Sequence, residues 1–189
     1  MSLQTAQKGK KVDLTPAELQ FLAQNLDSMS ESELRTWFKK LDTTVENEEK
    51  DTAQEQFMSF VKKVWPSFIE GAHHEEMAQA FERVARGECK RLIINMPPRH
   101  TKSEFASYLL PACFLGKFPE KKVIQTSHTA ELAVGFGRKV RNLVDSDIYK
   151  SIFPGVGLQA DSKAAGRWAT NKGGDYFAIG VGGAVTGKG

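Results

Sequence analysis

Two groups of apolar residues near the N-terminus recur at helical spacing, and each follows a helix-start signal. The first group follows the capping sequence Thr15-Pro16-Ala17-Glu18, and the second follows Ser30-Glu31-Ser32-Glu33. The apolar residues are Leu19, Leu22 and Leu26 in the first group and Leu34, Trp37, Phe38 and Leu41 in the second. Each set falls on one face of a helix. We expect two short helices packed as a hairpin, followed by an acidic, polar linker from Asp42 to Thr52.

Helical and strand patterns alternate after this linker. Two helical stripes comprise Phe57, Phe60, Val61 and Val64, and then Met77, Phe81 and Val84 within a helix from His74 to Arg86. A strand is predicted from Leu92 to Asn95. The helix predicted from Ser103 carries Phe105, Leu109 and Leu110, and we expect Pro111 and Gly116 to disturb and end it.

The second half continues this alternation. A strand is predicted from Lys122 to Ser127, and Thr129 is placed to cap the following helix. That helix is expected to bury Leu132, Phe136, Val140 and Leu143. The segments 167–171 and 175–179 flank a Lys-Gly-Gly turn and predict a hairpin. The order strand, helix, strand, helix indicates an α/β fold with a parallel sheet.

Composition narrows the function classes only slightly. The 26 Lys and Arg residues and 23 Asp and Glu residues give a net charge of +3, which permits a nucleic-acid partner without requiring one. Cys89 and Cys113 are too few for a disulfide framework or a metal cluster, so a reducing compartment is expected. No apolar run approaches the roughly 18 residues of a membrane span, and no signal-peptide core is present. We expect a soluble, cytoplasmic protein without a membrane partner.

The segment 91–104 carries the clearest chemistry, because an apolar run leads directly into a Lys-Ser pair that opens a helix. In the P-loop pattern G-x-x-x-x-G-K-[ST], loop amides surround the phosphates, the Lys contacts the β- and γ-phosphates and the hydroxyl binds Mg²⁺. Met96 and Thr101 stand at the two Gly positions, so the plain pattern fails. Lys102, Ser103 and a helix N-terminus that favours anions are retained.

The run Met96-Pro97-Pro98-Arg99-His100-Thr101-Lys102-Ser103-Glu104 resembles the deviant Walker A motif of tailed-phage terminase large subunits, the ATPases that package viral DNA. One position departs from that motif, since Thr101 replaces a Gly. The resemblance extends in order from roughly Phe57 to the C-terminus. It includes the segments 73–74, 136–142, 152–155, 165–168 and 180–189.

The resemblance implies a truncated P-loop NTPase-type parallel sheet with flanking helices, preceded by an N-terminal helical appendage. Residues 1–52 would form the tail, helical hairpin and linker, and residues 53–189 the first part of the ATPase domain. The Walker B Asp, the catalytic Glu and a nuclease domain would follow Gly189. The intact phage or prophage protein would hydrolyse ATP in the host cytoplasm, whereas residues 1–189 alone are expected to be inactive.

The resemblance also assigns roles in the loop. Lys102 would bridge the phosphates and Arg99 would sense the γ-phosphate, which makes these two the catalytic candidates. Ser103 would hold Mg²⁺. The residues expected to surround ATP are Pro98, Arg99, His100, Thr101, Lys102 and Ser103. His73 and His74 precede the first strand, where an adenine-contacting region lies in the family, although capping or surface roles are the simpler interpretation.

Thr101 raises a separate question, because a β-branched residue is strained wherever the loop needs positive φ. Either the loop is reshaped or it is strained. Thr101→Gly is therefore expected to preserve or raise nucleotide affinity. The C-terminal run from Gly182 to Gly189 also fits G-x-x-x-x-G-K, but no helix follows it, and we interpret it as a Gly-rich approach to a further strand.

Three partners and two alternatives complete the prediction. By resemblance, the partners are double-stranded DNA, a terminase small subunit and a portal protein, with the motor assembled as a homo-oligomeric ring.

The basic residues Arg138, Lys139 and Arg141 share the outer face of one helix and are candidates for DNA contact or for an arginine finger. A helicase-like P-loop ATPase is the first alternative. The second is a DNA- or capsid-binding module that has lost ATP binding.

Overall fold

The computed structural model describes residues 20–21, 24–25 and 28–183. These residues divide into two compact units, with the division between Glu49 and Lys50. Residues 20, 21, 24 and 25 are helical, but the apolar leucines of the first predicted helix, Leu19, Leu22 and Leu26, lie outside the described residues.

Helix α1 spans Glu31–Glu55, and its start confirms the predicted capping box. The Ser30 amide donates to Glu33 Oε2 at 2.8 Å, and the Glu33 amide donates to Ser30 Oγ at 3.3 Å. The linker predicted from Asp42 to Thr52 is wrong in its local structure, because this whole segment is helical. It contains neither Gly nor Pro, and its Glu and Lys residues favour a helix even where little apolar surface is buried.

The described part of the second unit contains five further α-helices and one π-helical segment. They are α2 (Phe57–Val64), α3 (Ala72–Ala85), π1 (Glu104–Leu109), α4 (Leu110–Lys117), α5 (Ala130–Asp145) and α6 (Asp147–Ile152). The predicted helical stripes are confirmed in α2 and α3, where Phe57, Phe60, Val61, Met77 and Phe81 are all buried. None of the helices among the described residues has both the length and the apolar character needed to cross a membrane.

Pro111 disturbs its helix without ending it. Its ring nitrogen has no hydrogen to donate, and the turn before it is π-helical, with the Leu110 amide donating to the Phe105 carbonyl. The helix then continues as α4 and ends at Lys117, directly after Gly116. The ring of Phe153 packs where a Cβ on Gly116 would lie, so Gly116 is required for this contact.

The sheet is mixed. Its strands are β1 (Lys122–Ser127), β2 (Leu158–Ala164), β3 (Arg167–Thr170) and β4 (Asp175–Gly180), in the order β1-β4-β3-β2. β1 and β4 are parallel, whereas β4 with β3 and β3 with β2 are antiparallel. The α/β class and the hairpin are confirmed, but the all-parallel sheet is wrong for these strands, because hairpin connections pair neighbouring strands antiparallel.

The strand predicted from Leu92 to Asn95 is also wrong as a paired strand. Residues 91–97 have no strand assignment among the described residues. The segment nevertheless alternates as a strand would, since Ile94 and Met96 pack against the core while Ile93 is 84% exposed. The apolar run was visible in the sequence, but pairing depends on a neighbour that local sequence does not specify.

Helix α5 packs against the sheet through Gly137. A Cβ there would lie 2.6 Å from the Ala165 carbonyl oxygen, and the Gly137 carbonyl accepts a hydrogen bond from Trp168 Nε1 at 3.3 Å. Trp168 is fully buried and stacks on Tyr176. Leu132, predicted inward, is 51% exposed because it lies in the first turn of α5, at the end of the helix next to its Thr129 cap.

Candidate functional site

The predicted phosphate loop, residues 98–103, connects the extended segment 91–97 to the helix formed by π1 and α4. The helix begins with a hydrogen bond from the Phe105 amide to the Thr101 carbonyl at 2.9 Å. The amides of the turn before Phe105 therefore lie at the free N-terminal end of a helix, where no carbonyl of an earlier turn is available to them. This is the local arrangement in which helix ends attract anions.

Two residues of the loop have left-handed backbone, and neither is Gly. Arg99 has φ 65° and Thr101 has φ 57°. A β-branched residue in this region costs about 1–3 kcal/mol relative to an unstrained backbone. Thr101 thus has a backbone conformation that favours Gly, and of the two possibilities raised by the sequence, strain is the one that the structure favours.

The Lys102 side chain folds back across the loop. Its Nζ donates to the Pro97 carbonyl at 3.3 Å, although the two residues are five positions apart. The hydroxyl-bearing Ser103, one position further along, is exposed. The Lys102 ammonium thus lies over the loop, and Ser103 adds an exposed hydroxyl at the end of the loop.

The other predicted loop residues form the outer surface of this turn. Pro98, Arg99 and His100 are all exposed. The Nδ1 of His100 donates to the Pro98 carbonyl at 2.9 Å, so this hydrogen bond joins two residues of the same turn. The Arg99 guanidinium has no hydrogen-bond or ion-pair partner among the described residues, so it is available to a ligand.

Thr101 is joined to the core by a histidine that sequence reasoning assigned to capping, surface or adenine contact. His74 is only 5% exposed, and its Nε2 lies 2.6 Å from Thr101 Oγ1. The Gly71 amide donates to His74 Nδ1 at 2.9 Å, which confirms the capping role. Surface placement is wrong for His74. The contact with Thr101 joins residues 27 positions apart, and no sequence pattern indicates it.

Aromatic rings surround His74. Its ring centroid lies 4.7 Å from that of Phe68, 4.9 Å from that of Phe105 and 3.8 Å from that of His73. The protein itself therefore occupies the ring faces that would be needed to stack on a base. Burial, followed by the neighbouring His73, lowers the pKa of His74 below its ordinary 6.5, so the neutral form is favoured.

His73 completes a group of three histidines beside the loop. Its ring centroid lies 5.7 Å from that of His100. Its Nε2 is buried and has no hydrogen-bond partner within the described part of the chain. Even so, residues 28–183 contain no group of three His, Cys, Asp or Glu side chains arranged to hold a metal ion.

The helix after the loop is tied to α5 by an ion pair. Glu104 Oε1 accepts from Lys139 Nζ at 2.7 Å, and the same ammonium lies 5.8 Å from the ring centroid of Tyr108. Lys139 is therefore engaged within the fold, whereas its neighbour Arg138 is exposed. Of the second glycine-rich motif, only Gly182 and Gly183 are described. They form a turn after β4, and the rest of that motif lies outside the described residues.

Comparison of the chain with known protein families, with curated proteins and with solved structures finds no match.

Proposed function

We propose that residues 98–103 bind the phosphates of ATP, and that the chain is the ATP-binding part of a phage terminase large subunit with a P-loop NTPase fold. The observation that carries this proposal is the contact of Lys102 Nζ with the Pro97 carbonyl across a loop that ends in a helix N-terminus. A cation, free helix amides and an exposed hydroxyl then converge on one short turn. Their chemistry suits a polyphosphate.

Each loop residue has a role in this proposal. Lys102 neutralises charge on the β- and γ-phosphates, and Arg99 contacts the γ-phosphate. The amides from Arg99 to Ser103 donate to phosphate oxygens, whereas Pro98 has no amide hydrogen and stiffens the turn. Such contacts catalyse phosphoryl transfer by positioning and by charge neutralisation.

In this proposal, Ser103 is the one residue of the loop that would bind Mg²⁺. Its hydroxyl is exposed at the start of the helix, and no clustered set of carboxylates or histidines accompanies it among the described residues. Mg²⁺ would accordingly arrive with the nucleotide, held by Ser103 and by phosphate oxygens, and would neutralise phosphate charge.

The wider proposal concerns a motor in the host cytoplasm. Its intact form hydrolyses ATP to move double-stranded DNA, and it works as a ring with a small subunit and a portal protein. Arg138 supports the DNA part of this proposal, because it is exposed on α5, whereas Lys139 is held by Glu104. The parallel pairing of β1 and β4, with helices packed on the sheet, is compatible with a P-loop fold.

Two alternative functions differ from this proposal. A helicase-like ATPase would use the same loop and differ in the partner it moves. A DNA- or capsid-binding module without ATP drew its support from Thr101 in place of Gly. The left-handed φ of Thr101 removes much of that support, because a Gly at this position could adopt the same backbone conformation.

Isothermal titration of the 189-residue chain with ATP and ADP tests the proposal. Lys102→Ala should weaken binding about 10- to 100-fold, since hydrogen bonds to charged groups contribute about 1.5–3 kcal/mol. Lys172→Ala is the matched control, because Lys172 is an exposed lysine in the β3–β4 turn. Equal affinity in Lys102→Ala and Lys172→Ala would overturn the proposal.

A further inference from the structure

The hydroxyl of Thr101 is hydrogen-bonded on both sides, although its backbone is strained. It donates to the His100 carbonyl at 2.7 Å and lies 2.6 Å from His74 Nε2. A hydroxyl has one proton, and that proton is committed to the carbonyl. His74 must therefore be the donor in the second contact.

The other ring nitrogen of His74 gives the same assignment. Nδ1 accepts from the Gly71 amide at 2.9 Å, so it carries no proton. A neutral imidazole with an unprotonated Nδ1 carries its proton on Nε2. A directed chain results, from the Gly71 amide through the His74 ring to the Thr101 hydroxyl and the His100 carbonyl.

The His74 ring is itself held in place. It lies at the start of α3 and packs edge-on to Phe68 and tilted against Phe105, both of which belong to the core or pack against it. Phe105 also stands in the turn that follows the loop. His74 therefore connects a rigid part of the molecule to the one loop residue that departs from the Gly pattern.

We infer that His74 is a positioning residue for the phosphate loop. Its Nε2–H holds the Thr101 side chain, and through Thr101 it holds the left-handed turn in the form that binds the phosphates of a nucleoside triphosphate. A Gly at this position would adopt the turn without strain and would need no such support. Thr101 instead requires a partner, and His74 supplies it. This inference rests on the proposed nucleotide site.

A matched pair of Thr101 variants separates the hydroxyl from the strain. Thr101→Val keeps the β-branched shape and loses the hydroxyl, whereas Thr101→Ser keeps the hydroxyl. ATP titration should show Thr101→Ser close to the parent chain and Thr101→Val about tenfold weaker, with Nε2–H left unpaired. Thr101→Val binding as tightly as the parent chain would overturn the inference, as would Thr101→Ser losing as much as Thr101→Val.

A double-mutant cycle tests whether His74 acts through Thr101. His74→Leu and Thr101→Val should each weaken ATP binding, and the double variant should be no weaker than the worse single variant. Additive losses would show that His74 affects the site by another route. Melting temperatures identify any variant that fails to fold. If His74→Leu does so, the Thr101 pair still decides the question.

A readout without nucleotide keeps the two proposals apart. In the parent chain, ¹⁵N chemical shifts should show His74 protonated at Nε2 only, and the Thr101 amide should show the strong intraresidue contact with Hα that positive φ produces. The positive-φ signal should be lost in Thr101→Val and kept in Thr101→Ser. A parent chain that shows these signals but binds no ATP would overturn the nucleotide proposal and leave the anchoring contact in place. Absence of the signals would overturn the positioning role, whatever the affinity.

Discussion

Two threonines, Thr101 and Thr170, use their hydroxyls in the same way at two turns, and the turns differ in what they require. Thr170 ends β3, is 1% exposed and donates to the Pro119 carbonyl. It also accepts from the Gly174 amide at 2.9 Å. Thr101 likewise donates to a carbonyl and accepts one hydrogen bond, but its donor is the His74 ring.

The partners of Thr170 that anchor the hairpin are all backbone groups. The left-handed position in that turn is Gly173, with φ 89°, so no strain has to be supported. At the loop, Thr101 is itself left-handed, as is Arg99, and the support of Thr101 comes from a titratable side chain distant in sequence. Substitutions in the hairpin are therefore expected to lower the stability of the protein. Substitutions in the loop are expected to change the backbone conformation of the loop and to lower its affinity for ATP.

The largest expected effect is in the hairpin. A Cβ on Gly174 would lie 2.4 Å from the Pro119 carbonyl oxygen and 2.5 Å from that of Lys121, and neither is a flexible group. Gly174→Ala should lower the free energy of unfolding by about 3 kcal/mol or more. Urea denaturation measures it. Gly173→Ala is the control, because its Cβ meets open space, and only its φ opposes Ala, at about 1–2 kcal/mol. A smaller loss in Gly174→Ala than in Gly173→Ala would refute the steric argument.

Thr170→Val should have the next largest effect. It leaves the partly buried Pro119 carbonyl and the Gly174 amide with fewer partners, which costs about 1–3 kcal/mol. Because none of these groups titrates near neutral pH, the loss should be the same at about pH 8 and about pH 5. Chemical denaturation at both values checks this. A loss that changes with pH would mean that the anchoring of this hairpin is coupled to a titrating group.

The contrast between these turns also explains how far the sequence could predict the molecule. The hairpin was predictable because a Lys-Gly-Gly turn between two strand patterns is a local signal. The helical stripes of α2 and α3, the Thr129 cap and the capping box at Ser30 were predictable for the same reason. Each depends on residues a few positions apart.

What failed depends on distant partners or on the competition between local rules. The extended segment 91–97 has the alternation of a strand, but a strand needs a neighbour. The segment 42–52 is too polar to suggest a buried element, and its helical propensity decides its structure. In the candidate site, Lys102 and Ser103 were recognisable from their spacing. The role of His74 was not, because no rule connects it to Thr101 across 27 positions.

Thr101→Gly should have a smaller effect, because two contributions oppose each other. Strain alone favours the Gly variant, which is why the sequence predicts preserved or raised affinity. The loss of the hydroxyl removes the partner of His74, which favours Thr. We expect the free energy of unfolding to change by less than about 1 kcal/mol and ATP affinity to change by no more than a few-fold, because Gly adopts the left-handed turn without the anchor. Titration with ATP measures the affinity, and urea denaturation measures the free energy of unfolding. A rise in affinity would show that relief of strain outweighs the anchor.

The smallest expected effect is a pH dependence that only the loop anchor should produce. Burial, then the nearby His73, lowers the folded-state pKa of His74 below its ordinary value of 6.5, and His100 adds to the shift while Glu70 opposes it. The unfolded chain therefore binds more protons at His74 than the folded chain, so stability must fall as pH falls. The stability that neutral His74 contributes is fully present above about pH 6.5 and is lost as pH decreases through the folded-state pKa.

Urea denaturation of the parent chain and of His74→Gln from about pH 8 to about pH 5 isolates this contribution of His74, since the other histidines are common to both proteins. The difference in unfolding free energy between the two proteins should shrink as the solution is acidified. A constant difference would mean that His74 does not titrate as the neutral anchor of Thr101, and that the two threonine turns are alike after all.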